Sequence, residues 1–370
     1  MIIGVLKEPA SEARVSLSPE TVAALVKKGC DILVEMNAGA NAFCSDADFI
    51  AAGAKIEDRA SVIAGAEVIL SIQPPNDLAS IPLGKVLVGV YQPLFNVDVA
   101  ANMASAGHTA FSLDMLPRTT RAQAMDVLSS QANIAGYKAV LMAANLFPRY
   151  FPMFMTAAGS VAPAKVLILG AGVAGLQAIA TARRLGAVVE VFDTRPAVKE
   201  EVMSLGAKFV EVEGAADASK AGGYAVEQTE EYKRKQQERI AEAVRKADII
   251  ITTAQIPGKQ APILVTEEMI QSMRNGSVII DLAAATGGNT PFTKNEETIF
   301  VHGVFIIGNS SLQSTMPMDA SRLYGKNIAN FLQLITAKDN SLHLNFEDDL
   351  VKGSCISHEG KIVHERLLNK

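Results

Sequence analysis

The sequence predicts an α/β chain made of two doubly wound parallel-sheet domains, and three observations carry that prediction. At 370 residues the chain exceeds the ~100–200 residues of one ordinary domain. Short apolar runs alternate with helix-compatible runs along the first and middle thirds, the pattern of βαβ units on a parallel sheet. In the middle third a strand leads into Gly170-Ala171-Gly172-Val173-Ala174-Gly175 and then a helix, the order in which a parallel sheet presents a helix N-terminus to a phosphate.

In chain order, strand-like runs at Ile2–Val5, Asp31–Glu35, Glu67–Ser71, Lys85–Val90 and Thr109–Leu113 alternate with a helix opened by Ser18-Pro19 and another near Val97–Ala106. Arg121 to Ala144 is helix-compatible, with apolar residues spaced for one buried face, and the Pro- and Met-containing connection Phe147-Pro148 to Met155 follows. The pattern then repeats: Lys165–Leu169, a helix over Leu176–Leu185, Val188–Phe192, Asp248–Thr253, a helix from Thr266, Ser277–Asp281 and Val304–Ile307. Ala320 to Leu334 reads as a further helix, and the remainder as strands with a turn near Lys352-Gly353. The expected arrangement returns this last helix and tail to the first domain. Residues 1–133 plus 320–370 then form an N-terminal Rossmann-like domain and 134–319 a second, nucleotide-binding one, the two flanking a nucleotide cleft. Glu213 to Thr229, rich in small residues, predicts a mobile loop. Glu230 to Lys246 predicts a densely charged helix, either solvated with i,i+4 pairs or serving as an arm to a second subunit.

Composition excludes several classes of function. A net charge of −5 offers no basic surface to nucleic acid or an anionic membrane. Three cysteines, Cys30, Cys44 and Cys355, lack C-x-x-C spacing and suggest neither a disulfide framework nor a zinc site, so the compartment reads as reducing. His108, His302, His343, His358 and His364 are scattered without metal-ligand spacing and read as structural or surface groups, so no metal is expected. Met1 to Lys7 reads as a first strand and not a signal peptide. The longest uncharged run, Val166 to Ala182, falls short of the ~20 residues of a membrane span and divides into strand plus helix, so no direct membrane insertion is expected.

The glycine-rich segment carries the chemistry. Gly170 permits the strand-to-helix turn, Gly172 lets backbone approach a pyrophosphate, and Gly175 lets helix and strand pack closely, with Val173 and Ala174 opening the helix. Asp193 closes the next strand at the ~20-residue spacing the motif requires. A carboxylate there accepts hydrogen bonds from the adenosine ribose and repels a 2′-phosphate, which selects NAD over NADP. Thr194 follows, and Arg195, a cation two residues on, works slightly against that selection or is simply a solvated charge.

Several segments together resemble the NAD(H)-binding domain, within the alpha subunit, of proton-translocating nicotinamide nucleotide transhydrogenase, which is related to alanine dehydrogenase. They are Arg14-Val15, the run Pro117 to Asn133, the glycine-rich fingerprint, Ala221-Gly222-Gly223-Tyr224-Ala225, Thr252 to Lys259, and Asp281-Leu282-Ala283 with Gly287-Gly288-Asn289. The resemblance spans almost the whole chain. It implies that Arg118 and Ser129 hold the pyrophosphate and carboxamide region, that Asp126 orients the arginine or ribose, and that Gln123 contacts the nicotinamide ribose and helps bring the ring toward a partner cofactor. Arg118, Gln123 and Asp126 are the candidate catalytic set. By residue type alone, Gln123 and Asp126 read first as polar positions in the first turns of a helix, where Asp is favoured by the dipole. Tyr224 reads either as part of a lid over the adenosine or ribose or as an exposed loop tyrosine, and the resemblance adds Gly223, Tyr224, Thr253, Ala254, Gln255, Pro257 and Leu282 to the cofactor contacts.

Within this resemblance, the chemistry separates hydride exchange from amino-acid oxidation. The latter removes a proton as well as a hydride and needs a positioned base. The lysine, histidine and aspartate of alanine dehydrogenases are replaced here: Gln73 precedes Pro74-Pro75, no histidine lies between Val86 and Leu94, and Ala285 precedes Thr286-Gly287-Gly288. The resemblance therefore implies a Re/Si-specific, proton-translocating NAD(P)+ transhydrogenase component, active only with partners. It binds NAD(H) as a homodimer, receives NADP(H) on a separate subunit, and depends on a membrane-spanning proton-channel subunit. It would be cytoplasmic, peripheral on the cytoplasmic face of the inner membrane. An alanine dehydrogenase-type enzyme and a non-catalytic NAD-binding protein are the alternatives.

Overall fold

The computed structural model of the chain describes residues 1–212 and 229–368. It divides into two compact units, Met1–Gln131 with Ser314–Lys370, and Ala132–Gln313. Its strands in chain order are β1 (Ile2–Val5), β2 (Asp31–Glu35), β3 (Lys55–Glu57), β4 (Val68–Leu70), β5 (Val86–Gly89) and β6 (Thr109–Ser112); β7 (Phe154–Thr156), β8 (Gly159–Val161), β9 (Lys165–Leu169), β10 (Val188–Phe192), β11 (Lys208–Phe209), β12 (Ile249–Thr252), β13 (Val278–Asp281), β14 (Glu297–Val301) and β15 (Val304–Gly308); and β16 (Cys355–His358) and β17 (Lys361–Ile362).

In the first unit the sheet order is β17-β16-β6-β5-β4-β1-β2-β3. β1 to β6 pair in parallel, while β16 runs antiparallel to β6 and β17 antiparallel to β16. The central strands β4, β5 and β6 are buried at every position, as a parallel sheet covered on both faces requires. Ile3, Val5 and Val88 face one core, which also holds Tyr324, Ile328 and Phe331 of helix Pro317–Leu332. Leu6, Ile69 and Leu87 face the other. Ser18 accepts a hydrogen bond from the Thr21 N–H and caps helix Pro19–Lys27, with Pro19 at its first turn.

Two expectations are corrected. Arg121 to Ala144 is not one helix: a 3₁₀ segment, Thr120–Met125, ends at Asp126 with ψ 87°, and the α-helix Val127–Leu146 begins after it. The reason is local, because the Asp126 carboxylate accepts from the Ser129 N–H at 2.9 Å and so favours a helix start over a helix interior. Nor is Lys352-Gly353 a turn. Both lie in helix Asp349–Ser354, capped by Asp348, which accepts from the Leu350 and Val351 N–H groups. The turn falls at Glu359-Gly360, with φ of 48° and 74°, between β16 and β17.

In the second unit the order is β11-β10-β9-β12-β13-β15-β14, parallel except for the edge strand β14. The strand sequence reverses between β9 and β12, the kind of switch point at which open α/β sheets hold ligands beyond their carboxyl ends. Helix Glu230–Val244 packs Ile240, Ala243 and Val244 onto this unit's core, and carries exposed i,i+4 pairs such as Glu231–Lys235 and Arg234–Glu238. β7 and β8 form a separate antiparallel hairpin, which the sequence pattern did not predict.

Candidate nucleotide-binding site

The fingerprint lies where β9 ends. Gly170 has φ of +108°, and a Cβ added there would stand 2.3 Å from Thr253 Oγ1. A Cβ on Gly175 would stand 1.9 Å from the Gly170 carbonyl oxygen. Both glycines are therefore required by the turn and by close packing of strand on helix. Gly172 differs. It is the N-cap of helix Val173–Arg184 with no side chain to bond the first-turn N–H groups, and a Cβ added to it meets nothing within 4 Å. The helix thus opens with donors aimed past Gly172 toward open space, the geometry that accepts a phosphate. Gly136, in helix Val127–Leu146, supports this turn from behind: its added Cβ would lie 2.0 Å from the Ala174 carbonyl oxygen. No sequence signal marked it.

Asp193 follows β10 and is buried. Its Oδ2 accepts from the Ala171 N–H at 2.7 Å, so the acid also braces the glycine turn. Arg195 engages both oxygens: its N–H and Nε–H donate to Oδ1 at 2.8 and 2.9 Å, and Nη2 donates to Oδ2 at 2.8 Å. The bond to Asp193 raises the Arg195 pKa above its ordinary value. Arg195 is therefore not the solvated charge that the sequence left open. Beside the pair is a small cavity in which Pro196, Phe209, Val212 and Tyr232 face the polar groups of Thr194, Lys199 and Glu211.

Across the switch point, Thr253 Oγ1 donates to the Leu169 and Gly170 carbonyls, tying the end of β12 to the fingerprint. The Ala254 N–H donates to Asn289 Oδ1, and Asn289 Nδ2 donates back to the Ala254 and Pro262 carbonyls. Asn289 is positioned by its own N–H, which donates to Asp281 Oδ2 at 2.6 Å. Gln255 is exposed but anchored, its Nε2 donating to the Leu282 carbonyl at 3.0 Å; Pro257 is half-buried and Leu282 buried. Asn289 and Asp281 stood in the sequence motifs without an assigned role. The structure gives them one as the brace of the Thr253–Gln255 segment. Gly223 and Tyr224, with the rest of the predicted mobile loop up to residue 228, lie outside the described residues.

In the first unit, Arg118 and Gln123 are exposed, and Asp126 and Ser129 half-buried. Asp126 Oδ2 accepts from Ser129 Oγ at 2.6 Å, so these two form one unit at the helix start. The turn bearing Gln123 is held from below: Asn327 Nδ2 and Asn330 Nδ2 both donate to the Ala124 carbonyl, at 2.9 and 3.1 Å. Asn327 Oδ1 accepts from Ser130 Oγ at 2.7 Å, Ser130 Oγ accepts from Gln131 Nε2, and Gln131 Oε1 accepts from Arg14 Nη1 at 2.8 Å. Arg14 forms a bidentate pair with Glu12 at 2.6 and 2.8 Å. Against the burial that would raise it, the Arg14 guanidinium holds the Glu12 carboxyl below its ordinary value. Arg14 thus belongs to a buried chain of polar groups that ends on the backbone next to Gln123.

A separate cavity of about 330 Å³ in this unit is lined by Glu8, Glu35, Arg59, Gln73 and Asp77 among others. Burial pushes the Glu8 carboxyl up to about 7, although it accepts from the Ile72 and Gln73 N–H groups. Among the described residues no cluster of three or more His, Cys, Asp or Glu is placed to hold a metal, and no helix is long and apolar enough to cross a membrane.

Comparison with known proteins identifies the family of the chain. The N-terminal and C-terminal domain models of the alanine dehydrogenase/PNT family match residues 4–135 and 139–365. The chain is 47% identical over 367 residues to an NAD(P) transhydrogenase alpha-subunit polypeptide of Rhodospirillum rubrum, covering 96% of each. A crystal structure of transhydrogenase from Sinorhizobium meliloti superposes with a TM-score of 0.90 at 44% identity, covering 98% of this chain and 100% of that one. An L-alanine dehydrogenase structure, at a TM-score of 0.83, 24% identity and coverage of 100% and 98%, shares the fold. With both domain models matched and a near-full-length relative of this identity, the chain belongs to the alanine dehydrogenase/PNT family and resembles its transhydrogenase alpha subunits.

Proposed function

We propose that the chain is the NAD(H)-binding component of a Re/Si-specific, proton-translocating transhydrogenase, which passes hydride from NADH to NADP+ held on a partner subunit. The observation that carries this reading is the Gly172 helix start, with an open face over first-turn N–H donors, set beside a buried acid at the end of the neighbouring strand. When bound, NADH supplies the hydride. The chain's residues supply position. The N–H groups after Gly172 receive the pyrophosphate, Asp193 with Thr194 receives the adenosine ribose at a subsite where Arg195 is bonded to the acid, and the Thr253–Pro257 segment and Leu282 receive the remaining length of the nucleotide.

At the nicotinamide end, Arg118 contributes a fixed positive charge and donors in a planar fork, Asp126 and Ser129 act as one bonded pair, and Gln123 orients the ring's ribose. None needs to change its protonation state. That suits a reaction in which only a hydride moves and in which the donor and acceptor carbons must come within ~3–3.5 Å with water excluded. Gln73 and Ala285 stand where a dehydrogenase of the related type would handle a proton, which speaks against amino-acid oxidation. The proposal includes a homodimer, an NADP(H)-binding subunit, a membrane-spanning proton-channel subunit, and a cytoplasmic position on the inner membrane through those partners. It also takes residues 1–133 with 320–370 and 134–319 as the functional domains.

The test incubates the purified chain with NADH, pyruvate and ammonia, and separately with NADH and an NADP(H)-binding partner subunit. Hydride transfer only in the second mixture is expected, and the first stays silent from pH ~6 to 10, the range in which a His or Lys base titrates. Steady turnover of pyruvate overturns the proposal in favour of an amino-acid dehydrogenase. Silence in both, with NADH bound, favours a non-catalytic NAD-binding protein.

A further inference from the structure

We infer that the Asp193–Arg195 pair, and not Asp193 alone, sets how strongly this site prefers NADH to NADPH, with Arg195 competing against the adenosine ribose for the acid. The inference rests on the NAD-binding reading above and deepens it.

A carboxylate presents about four lone-pair sites on two oxygens. Four donors already address Asp193: the Ala171 N–H and Arg195 Nη2 at Oδ2, and the Arg195 N–H and Nε–H at Oδ1. A ribose diol that bonds this acid must displace guanidinium donors, because the backbone N–H of Ala171 is fixed by the glycine turn. The same guanidinium offsets the negative charge that would otherwise repel a 2′-phosphate. Its planar fork also matches a phosphate, since Arg bonds such oxyanions bidentately. One side chain therefore weakens NADH binding by competition and reduces the penalty on NADPH by neutralisation. Both effects act in the same direction on the ratio of affinities. The pair is largely buried, with 19% of the Arg195 and 5% of the Asp193 side-chain surface exposed, so salt screens it less than a surface pair.

Asp193 is a poor residue to vary first, because Asp193→Ala also removes the brace on the Ala171 N–H. Arg195→Gln keeps that brace and the backbone N–H donor of position 195 while removing the charge and the fork. Arg195→Lys keeps the charge without the fork. Calorimetric titration of wild type and both variants with NADH and with NADPH, at one fixed ionic strength, reads the affinity ratio. Arg195→Gln is expected to widen the preference for NADH by about 10-fold or more, and Arg195→Lys to change it by less than about 3-fold. An Arg195→Gln ratio that is unchanged or narrower overturns the inference, as does loss of NADH binding at an unchanged melting temperature, which would make Arg195 a ligand-holding group and not a competitor. A wild-type chain that binds neither nucleotide overturns the NAD-binding reading and this inference with it; NADH binding with an unmoved ratio overturns the inference alone.

Discussion

Replacing Gly136 by alanine places a methyl carbon 2.0 Å from the Ala174 carbonyl oxygen, 2.8 Å from its carbonyl carbon and 2.9 Å from its Cα. Ordinary contact begins near 3.4 Å, so the two helix backbones must part by about 1.4 Å at a place with no flexible side chain to yield. Overpacking of this kind costs ~1–3 kcal/mol. Alanine's better helix propensity returns only ~0.5–1 kcal/mol, so the clash wins and the melting temperature falls by several degrees. The displaced atoms belong to the first turn of the helix proposed to receive the pyrophosphate. A shift near 1 Å takes N–H donors out of the 2.7–3.2 Å bonding range, and NADH affinity should drop by ~10-fold, about 1.4 kcal/mol. Gly172→Ala is the control with the opposite signature. Its methyl meets no atom within 4 Å, so stability should hold while the methyl occupies the space proposed for the ligand, and NADH binding falls. Scanning calorimetry and NADH titration of both variants check the pair. A Gly136→Ala chain with wild-type stability and affinity refutes the packing argument, and normal NADH binding by Gly172→Ala refutes the placement of the pyrophosphate.

Gln123→Asn should leave NADH affinity within a few-fold yet slow hydride transfer in the reconstituted complex by ~10- to 100-fold, since misplacement near 1 Å can cost ~10²-fold; Arg118→Ala should weaken both. Stopped-flow transfer and binding titrations separate these, and normal transfer by Gln123→Asn returns that residue to an ordinary polar position. Glu8 sets a pH dependence of stability. Its folded pKa is raised from 4.5 to about 7, so between those values the folded state binds more protons than the unfolded one, and stability falls as pH rises through the window. Glu8→Gln should flatten the melting temperature between about pH 5 and 8, and an unaltered slope in the variant assigns the effect elsewhere.

The fingerprint was legible because its whole logic is local: β9, the three glycines, the helix and Asp193 follow one another in sequence at spacings set by one turn and one crossover. What escaped was set by long-range contact or by competition between local signals. Gly136 meets Ala174, and Asn327 meets the Ala124 carbonyl, across large sequence separations, so neither leaves a periodic trace. The break at Asp126 was hidden because Thr120–Met125 keeps helical spacing of apolar residues while winding as 3₁₀. Gly353 read as a turn because glycine usually punctuates; Asp348, a capping acid a few residues earlier, was the signal that favoured a helix. The Arg195 fork was visible as a residue but not as a contact, since i and i+2 residues meet only where the backbone turns after a strand.

The return of residues 314–370 to the first unit has a kinetic consequence. β6 pairs on one side with β5 and on the other with β16, which the ribosome delivers roughly 240 residues later. At ~5–20 residues per second, that edge waits on the order of 12–50 seconds with its N–H and C=O groups unpaired. Phe111, in the same strand, waits nearly as long for Phe331, whose ring lies tilted against it at a centroid distance of 5.3 Å in the finished core. The second unit has all of its sheet in one contiguous stretch and can close first. A nascent chain of this topology therefore carries an apolar open edge at its leading end while the trailing unit matures, and that edge is where strand pairing between neighbouring nascent chains would begin.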